Sequence, residues 1–154
     1  LFVNKFNENY NCYMKSDDNV KQVLKDDGIK DAILEPGHKY ENLKKSNINY
    51  LEKETGFDDS WAMRVIYNNR FAGVIIKQNP GEGNRMHYHP DADECWVILE
   101  GQYRWSIDGE EQEVSVGDIV VVKEKTWHQI TVIGDKPAAR LAITKPDVDH
   151  IYED

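Results

Sequence analysis

Three of the five histidines in this 154-residue chain, together with one glutamate, are spaced as ligands for a metal would be. His87 and His89 are two apart, so on a strand their side chains leave the same face. The residues Pro90-Asp91-Ala92-Asp93 read as a turn that brings Glu94 in at the start of the next strand. His128 arrives two strands later, directly after Trp127. Imidazole and carboxylate groups on adjoining strands of one barrel can converge on a divalent cation. An isolated His-x-His on a strand is more often a surface or hydrogen-bonded pair. Here the glycines are also in place. Gly81 is followed by five residues, then His87-x-His89, four residues, Glu94, six residues and Gly101; Gly117 is followed by ten residues and His128.

The segment 81–101 matches the first motif of the cupin superfamily at its defining positions, and 117–128 resembles the second. The resemblance covers roughly residues 60–144. It implies an all-β fold, the double-stranded β-helix or jelly-roll barrel, with His87, His89, Glu94 and His128 on one metal ion. The second motif departs from the family pattern. Lys123 and Lys125 stand where Pro and Gly are usual, and Val132 stands where Asn is usual. The ligand set survives this departure, while the loop before His128 is expected to be shaped differently. Four protein ligands would fill a tetrahedral zinc ion, whereas an octahedral ion keeps two positions for substrate, water or O₂. Fe(II) or Mn(II) is therefore favoured, with Zn(II), Ni(II) or Co(II) able to take the same donors.

The elements needed to position these residues are legible from residue 61 onward. Strands are expected over 61–67, 71–78, 85–89, 94–99, 103–107, 112–116, 119–123, 127–133 and 138–144. Asn68-Asn69-Arg70 reads as a hairpin turn, and Asp108-Gly109 is the strongest short-range hairpin signal in the chain. Short strands at near-regular spacing indicate a barrel or jelly roll. Residues 1–60 are polar and rich in Asn, Lys and Asp, and are expected to form a partly helical extension packed on a barrel of residues 61–154. Within the extension, Ser16 or Asp17 would cap a short helix stopped by Gly28, residues 35–37 read as a turn, and a second short helix falls near 50–55, ended by Gly56. The tail after Lys145 reads as irregular.

Several neighbours of the ligands carry expectations of their own. If Arg85 shares the phase of His87 and His89, it points inward. It would then grip a substrate carboxylate or phosphate, or pair internally with Glu or Asp. Trp96 lies in phase with Glu94 and would be either an apolar wall beside the metal or simply a core residue. Arg85 and Trp96 are the substrate-positioning candidates. Tyr103, Trp105 and Ile107 share a face and are expected to pack the core. Lys123 and Lys125 would be solvated lysines or a cationic lip that draws in an anion. Arg64 and Arg140 fall on strands whose register the sequence leaves open. Cys95 alternates away from Glu94, and His38 and His150 lie outside the motifs and receive no role.

Composition excludes other classes. A net charge of −9 argues against a nucleic-acid surface and disfavours an anionic membrane. Two cysteines, Cys12 and Cys95, make no disulfide framework, and residues 1–10 show no signal pattern. No apolar run approaches the ~20 residues of a spanning helix, so a cytoplasmic protein is expected. No nucleophilic triad and no phosphate loop is visible. Three functions remain. The first is a mononuclear Fe(II) or Mn(II) oxygenase acting on a small polar or anionic metabolite. The second is a non-redox isomerase, epimerase or lyase acting on a small acid or sugar phosphate, and the third is a small-ligand-binding module without turnover. A homodimer is expected by analogy with other cupins.

Overall fold

The structure, a computed structural model, describes residues 42–55 and 60–153. The expected helix after Ser16, the turn at 35–37, Cys12, His38 and Gly56 lie outside these residues. The second expected helix is α1, Ile48–Thr55. It begins earlier than its apolar pattern alone suggests, because Asn47 caps it: the Asn47 side-chain oxygen accepts the Asn49 amide at 3.0 Å. Leu51 on this helix is fully buried in the hydrophobic core, and Ile48 packs beside it. Asn42 ties the preceding segment down, donating from its side chain to the Tyr67 carbonyl at 2.7 Å and accepting the Tyr67 amide at 3.0 Å.

The rest of the described chain is β. The strands are β1 Trp61–Tyr67, β2 Ala72–Gln78, β3 His87–Tyr88, β4 Glu94–Glu100, β5 Gln102–Ile107, β6 Glu110–Ser115, β7 Ile119–Val122, β8 His128–Ile133, β9 Ala138–Thr144 and β10 Ile151–Tyr152. They form two five-stranded sheets, ordered β1-β2-β9-β4-β7 and β10-β3-β8-β5-β6, and the strand pairs are antiparallel. This is the expected jelly-roll architecture. The Asp108-Gly109 turn joins β5 to β6 with φ of 47° and 82°, the two left-handed residues that a type I′ hairpin demands.

Alternation decides what faces inward. Ala72, Val74 and Ile76 of β2, Arg140, Ala142 and Thr144 of β9, and Glu94 and Trp96 of β4 all line one internal cavity. Between and beneath them sits a core that includes Trp61, Met63, Trp96, Ile98, Tyr103, Val122, Ile130 and Val132. Tyr103 is fully buried there, with Trp105 and Ile107 packed against the cluster as their shared face predicts. One irregularity matters for the site. The β1–β2 register shifts between Arg64 and Ile66, and this bulge lets both Arg64 and Tyr67 reach the cavity.

The tail departs from expectation. Residues 151–152 form β10, which pairs with β3 as Ile151↔Tyr88 and Tyr152↔His87. A short edge partner is the reason: β3 has β8 on one side only, and the tail supplies the other. Among the described residues, no helix is long and apolar enough to cross a membrane.

Candidate metal centre

Both sheets contribute to one cluster. His87 opens β3 and stands directly opposite His128, the first residue of β8. His89 lies just past β3, and Glu94 opens β4 in the other sheet. The loop before β3 is stitched onto β8, which holds the two histidine-bearing strands in register. Gly81 and Asn84 donate backbone amides to Val132 and Ile130, and the Asn84 side-chain oxygen accepts the Ile130 amide at 2.6 Å. Gly83 sits so close to β8 that a Cβ there would lie 2.0 Å from the Ile130 carbonyl oxygen, so this position of the loop requires glycine.

The ligand atoms of His87, His89, Glu94 and His128 all lie within 4.8 Å of one another. An octahedral ion with bonds of ~2.1 Å separates its donors by ~3 Å (cis) to ~4.2 Å (trans), so the cluster has the right dimensions. The three histidines are buried. Each imidazole faces a backbone carbonyl through Nδ1: His87 to Arg85 at 2.6 Å, His89 to Asp149 at 2.9 Å and His128 to Thr126 at 2.8 Å. A carbonyl only accepts, so each Nδ1 carries a proton, and Nε2 is the ring nitrogen left to face a cation. His128 Nε2 is buried with no hydrogen-bond partner, the kind of orphan a cation satisfies. The residues therefore fit a divalent metal, and the identity of that metal is a separate matter.

The electrostatics of the metal-free cluster agree. Burial, reinforced by His128 and His150, lowers the pKa of His87 to about 2. Burial alone would also lower that of His89, but the Glu94 carboxylate 3.1 Å away outweighs it and raises the value. Burial would raise the pKa of Glu94, yet His128 and His89 hold it well below the usual carboxylate range. Glu94 is thus ionised and aimed at imidazole nitrogens, with Oε2 3.3 Å from His128 Nε2. A carboxylate and three imidazole Nε2 atoms sharing one centre are a hard-to-intermediate donor set suited to a first-row divalent ion.

The neighbours divide sharply. Trp96 is almost completely buried and lines the cavity, its ring centroid 5.5 Å from that of His128. Arg85 is exposed, with its guanidinium 4.7 Å from the Tyr152 ring centroid and outside the cavity. The inward phase expected for it fails because β3 begins only at His87, and the backbone before it follows the loop onto β8. Lys123 and Lys125 are exposed and away from the cavity, as solvated lysines. Lys125 adopts φ 62°, the left-handed conformation for which the family pattern uses glycine, and its amide donates to the His89 carbonyl at 2.7 Å. Cys95 faces away from the cluster, and burial raises its pKa.

Two features escaped the sequence reading. His150 packs on the cluster, its ring centroid 4.5 Å from that of His89 and 4.9 Å from that of His87, and it lines the cavity. Burial and the neighbouring His89 lower its pKa to about 4. The alternation Val148, His150, Tyr152 was the available signal, too short to announce a strand. Arg64 and Arg140 also line the cavity from β1 and β9 and are buried. The cavity has a volume of about 90 Å³.

The Cupin domain family pattern matches residues 74–144, the span that contains all four ligand candidates. A curated relative, the uncharacterized protein MJ1618 of Methanocaldococcus jannaschii, is 32% identical over 100 residues, which is 60% of this chain and 78% of that protein. The chain belongs to the cupin superfamily. Solved structures extend the likeness of this cupin at the level of fold. A sugar phosphate isomerase from a cupin superfamily, from Silicibacter pomeroyi, has a TM-score of 0.55 at 22% identity, over 63% of this chain and 67% of that one. The oxalate decarboxylase of Lactobacillus farciminis, in complex with formate, gives 0.55 at 21% identity, over 62% of this cupin and 32% of that enzyme.

Proposed function

We propose that this cupin is a metal-dependent enzyme, a mononuclear Fe(II) or Mn(II) oxygenase acting on a small anionic metabolite. The observation that carries the reading is the cavity of about 90 Å³, in which the donor cluster meets apolar walls and buried arginine. His87, His89, Glu94 and His128 would hold the ion, leaving two of six positions of an octahedral metal to substrate and O₂. A bound divalent cation would supply Lewis acidity and, as iron or manganese, redox chemistry.

The chain's own residues do the rest. The backbone carbonyls of residues 85, 126 and 149 fix the imidazole orientations, so the donor set needs little reorganisation on binding. Trp96, Val74, Ile76 and Ala142 give the cavity its apolar walls. Substrate positioning falls to Trp96 and the cavity arginines, since Arg85 lies on the surface.

A second reading, a non-redox isomerase or lyase, is favoured by His150. This cavity-lining imidazole beside the donor set is the group placed to move a proton. The names of the two structural neighbours include such chemistry, but at their identities they speak to fold alone. Anaerobic loading with Fe(II), followed by O₂-consumption assays with a panel of small carboxylic acids, separates the two. O₂ uptake coupled to loss of one acid is the expected result. Inactivity with iron but turnover of an acid with Mn, Ni or Zn and no O₂ uptake would replace the oxygenase with the second reading.

A further inference from the structure

Away from the four donors, the cavity poses an electrostatic problem of its own. Arg140 comes from the middle of β9, opposite Ile76 of β2 and Ile98 of β4, and is 1% exposed. Its Nη1 donates to Gln78 Oε1, a neutral partner, and its Nε has none. Gln78 is itself fully buried, and its Nε2 also lacks a partner. The guanidinium stands 5.3 Å from the Tyr103 ring centroid and 6.0 Å from that of Trp96. These π faces compensate a cation only in part. Among the described residues, no carboxylate pairs with Arg140. A buried guanidinium without an anion is a costly arrangement unless something else supplies the charge. Arg140 also lines the cavity that the donor cluster opens into, and Trp96 touches both, being the ring next to His128.

We propose that Arg140 is a substrate-binding residue that takes a carboxylate, so that the substrate is a small organic acid anchored at Arg140 and offering a second oxygen to the four-donor cluster. The inference rests on the reading of that cluster as a metal centre and makes its substrate class specific. The Arg140 guanidinium lines the cavity with its Nε unpartnered, and a guanidinium fork grips a carboxylate in a planar, bidentate fashion. The cavity is small, about 90 Å³, and suits a small organic acid. Neutral ligands of the same size would leave Arg140 uncompensated, so the site selects for charge as well as size.

The test uses the full chain loaded with Ni(II), which is octahedral and not consumed by O₂, so binding is read apart from turnover. Malonate is the probe, titrated by calorimetry into wild type, Arg140→Lys and Arg140→Gln, and imidazole is the control ligand that needs the metal alone. Malonate affinity should fall at least about 30-fold in Arg140→Gln and about 5-fold in Arg140→Lys, which keeps the charge but loses the fork. Imidazole affinity and nickel content should stay within about twofold. In wild type, the ¹⁵N resonance of Arg140 Nε should move on malonate addition, an observation that stands even if a variant fails to fold. Malonate binding that weakens no more than imidazole binding, or an Nε resonance that malonate leaves in place, overturns the proposal. Loss of O₂ chemistry with Arg140-dependent malonate binding intact would count against the oxygenase and for this inference.

Discussion

The two ends of one cavity are built on opposite principles. At the His87, His89, Glu94 and His128 end, donors are in excess: three imidazoles are oriented by backbone carbonyls and a carboxylate faces them. At the β1–β2–β9 wall, two buried cations, Arg64 and Arg140, stand with Tyr67 and Thr144 among Val74, Ile76 and Ala142. One end suits a positive ion, and Arg140 at the other is the residue proposed to take a negative group. The contrast teaches that the two family motifs carry the metal end, while the proposed choice of ligand rests on β9, outside both motifs. Trp96 joins the two, packed beside His128 and near Arg140.

Removing that shared wall should have the largest effect. Trp96→Ala deletes a buried indole and is expected to cost about 3–5 kcal/mol of stability, measured by urea unfolding. Because the ring touches both ends, metal affinity and malonate affinity should fall together. A variant that lost only one of them would break the picture of a single cavity.

Acidification comes next, and it sharpens the metal end. In the unfolded chain His87 and His150 take protons near pH 6.5. The metal-free fold resists this until about pH 2 and about pH 4, so their stabilising contribution is present above pH 6.5 and declines as the pH falls toward those values. Glu94, whose folded pKa is depressed, adds a loss of the same sign at still lower pH. His89 is the opposite case: its raised pKa gives stability below about pH 6.5 that fades as the pH rises through its folded value. Two histidines against one make the urea midpoint of the metal-free protein lower at pH 5 than at pH 7. Calorimetric metal titration across the same range should show proton release and weaker binding at pH 5.5. A midpoint that rose on acidification would contradict the arrangement.

The smallest effects lie outside the cavity. Lys125→Gly relieves a left-handed lysine while loosening the unfolded chain, for a net gain of about 0.5 kcal/mol by thermal unfolding. A loss of stability would mean that the lysine side chain holds the loop. Arg85→Ala should shift stability by no more than about 0.5 kcal/mol and leave malonate affinity unchanged, in contrast to Arg140. A malonate defect in Arg85→Ala would return that residue to the site.

The same division explains what was legible in the sequence. His87 and His89 announce themselves because their spacing falls in step with Gly81, Glu94 and Gly101, and Asp108-Gly109 because few other pairs adopt its turn. β9 was found at its observed bounds, yet the inward direction of Arg140 was not, since alternation gives two phases and register chooses between them. Arg64 reaches the cavity beside a bulge, which no periodicity signals. Arg85 misled for the converse reason: phase counting assumes a strand, and its backbone belongs to the loop stitched to β8. His150 was missed because a two-residue strand has no pattern of its own and exists only through pairing with β3.

The central claim is that four side chains from two sheets hold one ion. Its most direct test is elemental analysis of the purified full chain after reconstitution with Fe(II) or Mn(II), beside the His87→Ala/His128→Ala double variant, with folding checked by circular dichroism. One metal per chain is expected in the wild type and none above background in the folded double variant. Full metal content retained by that variant would contradict the account.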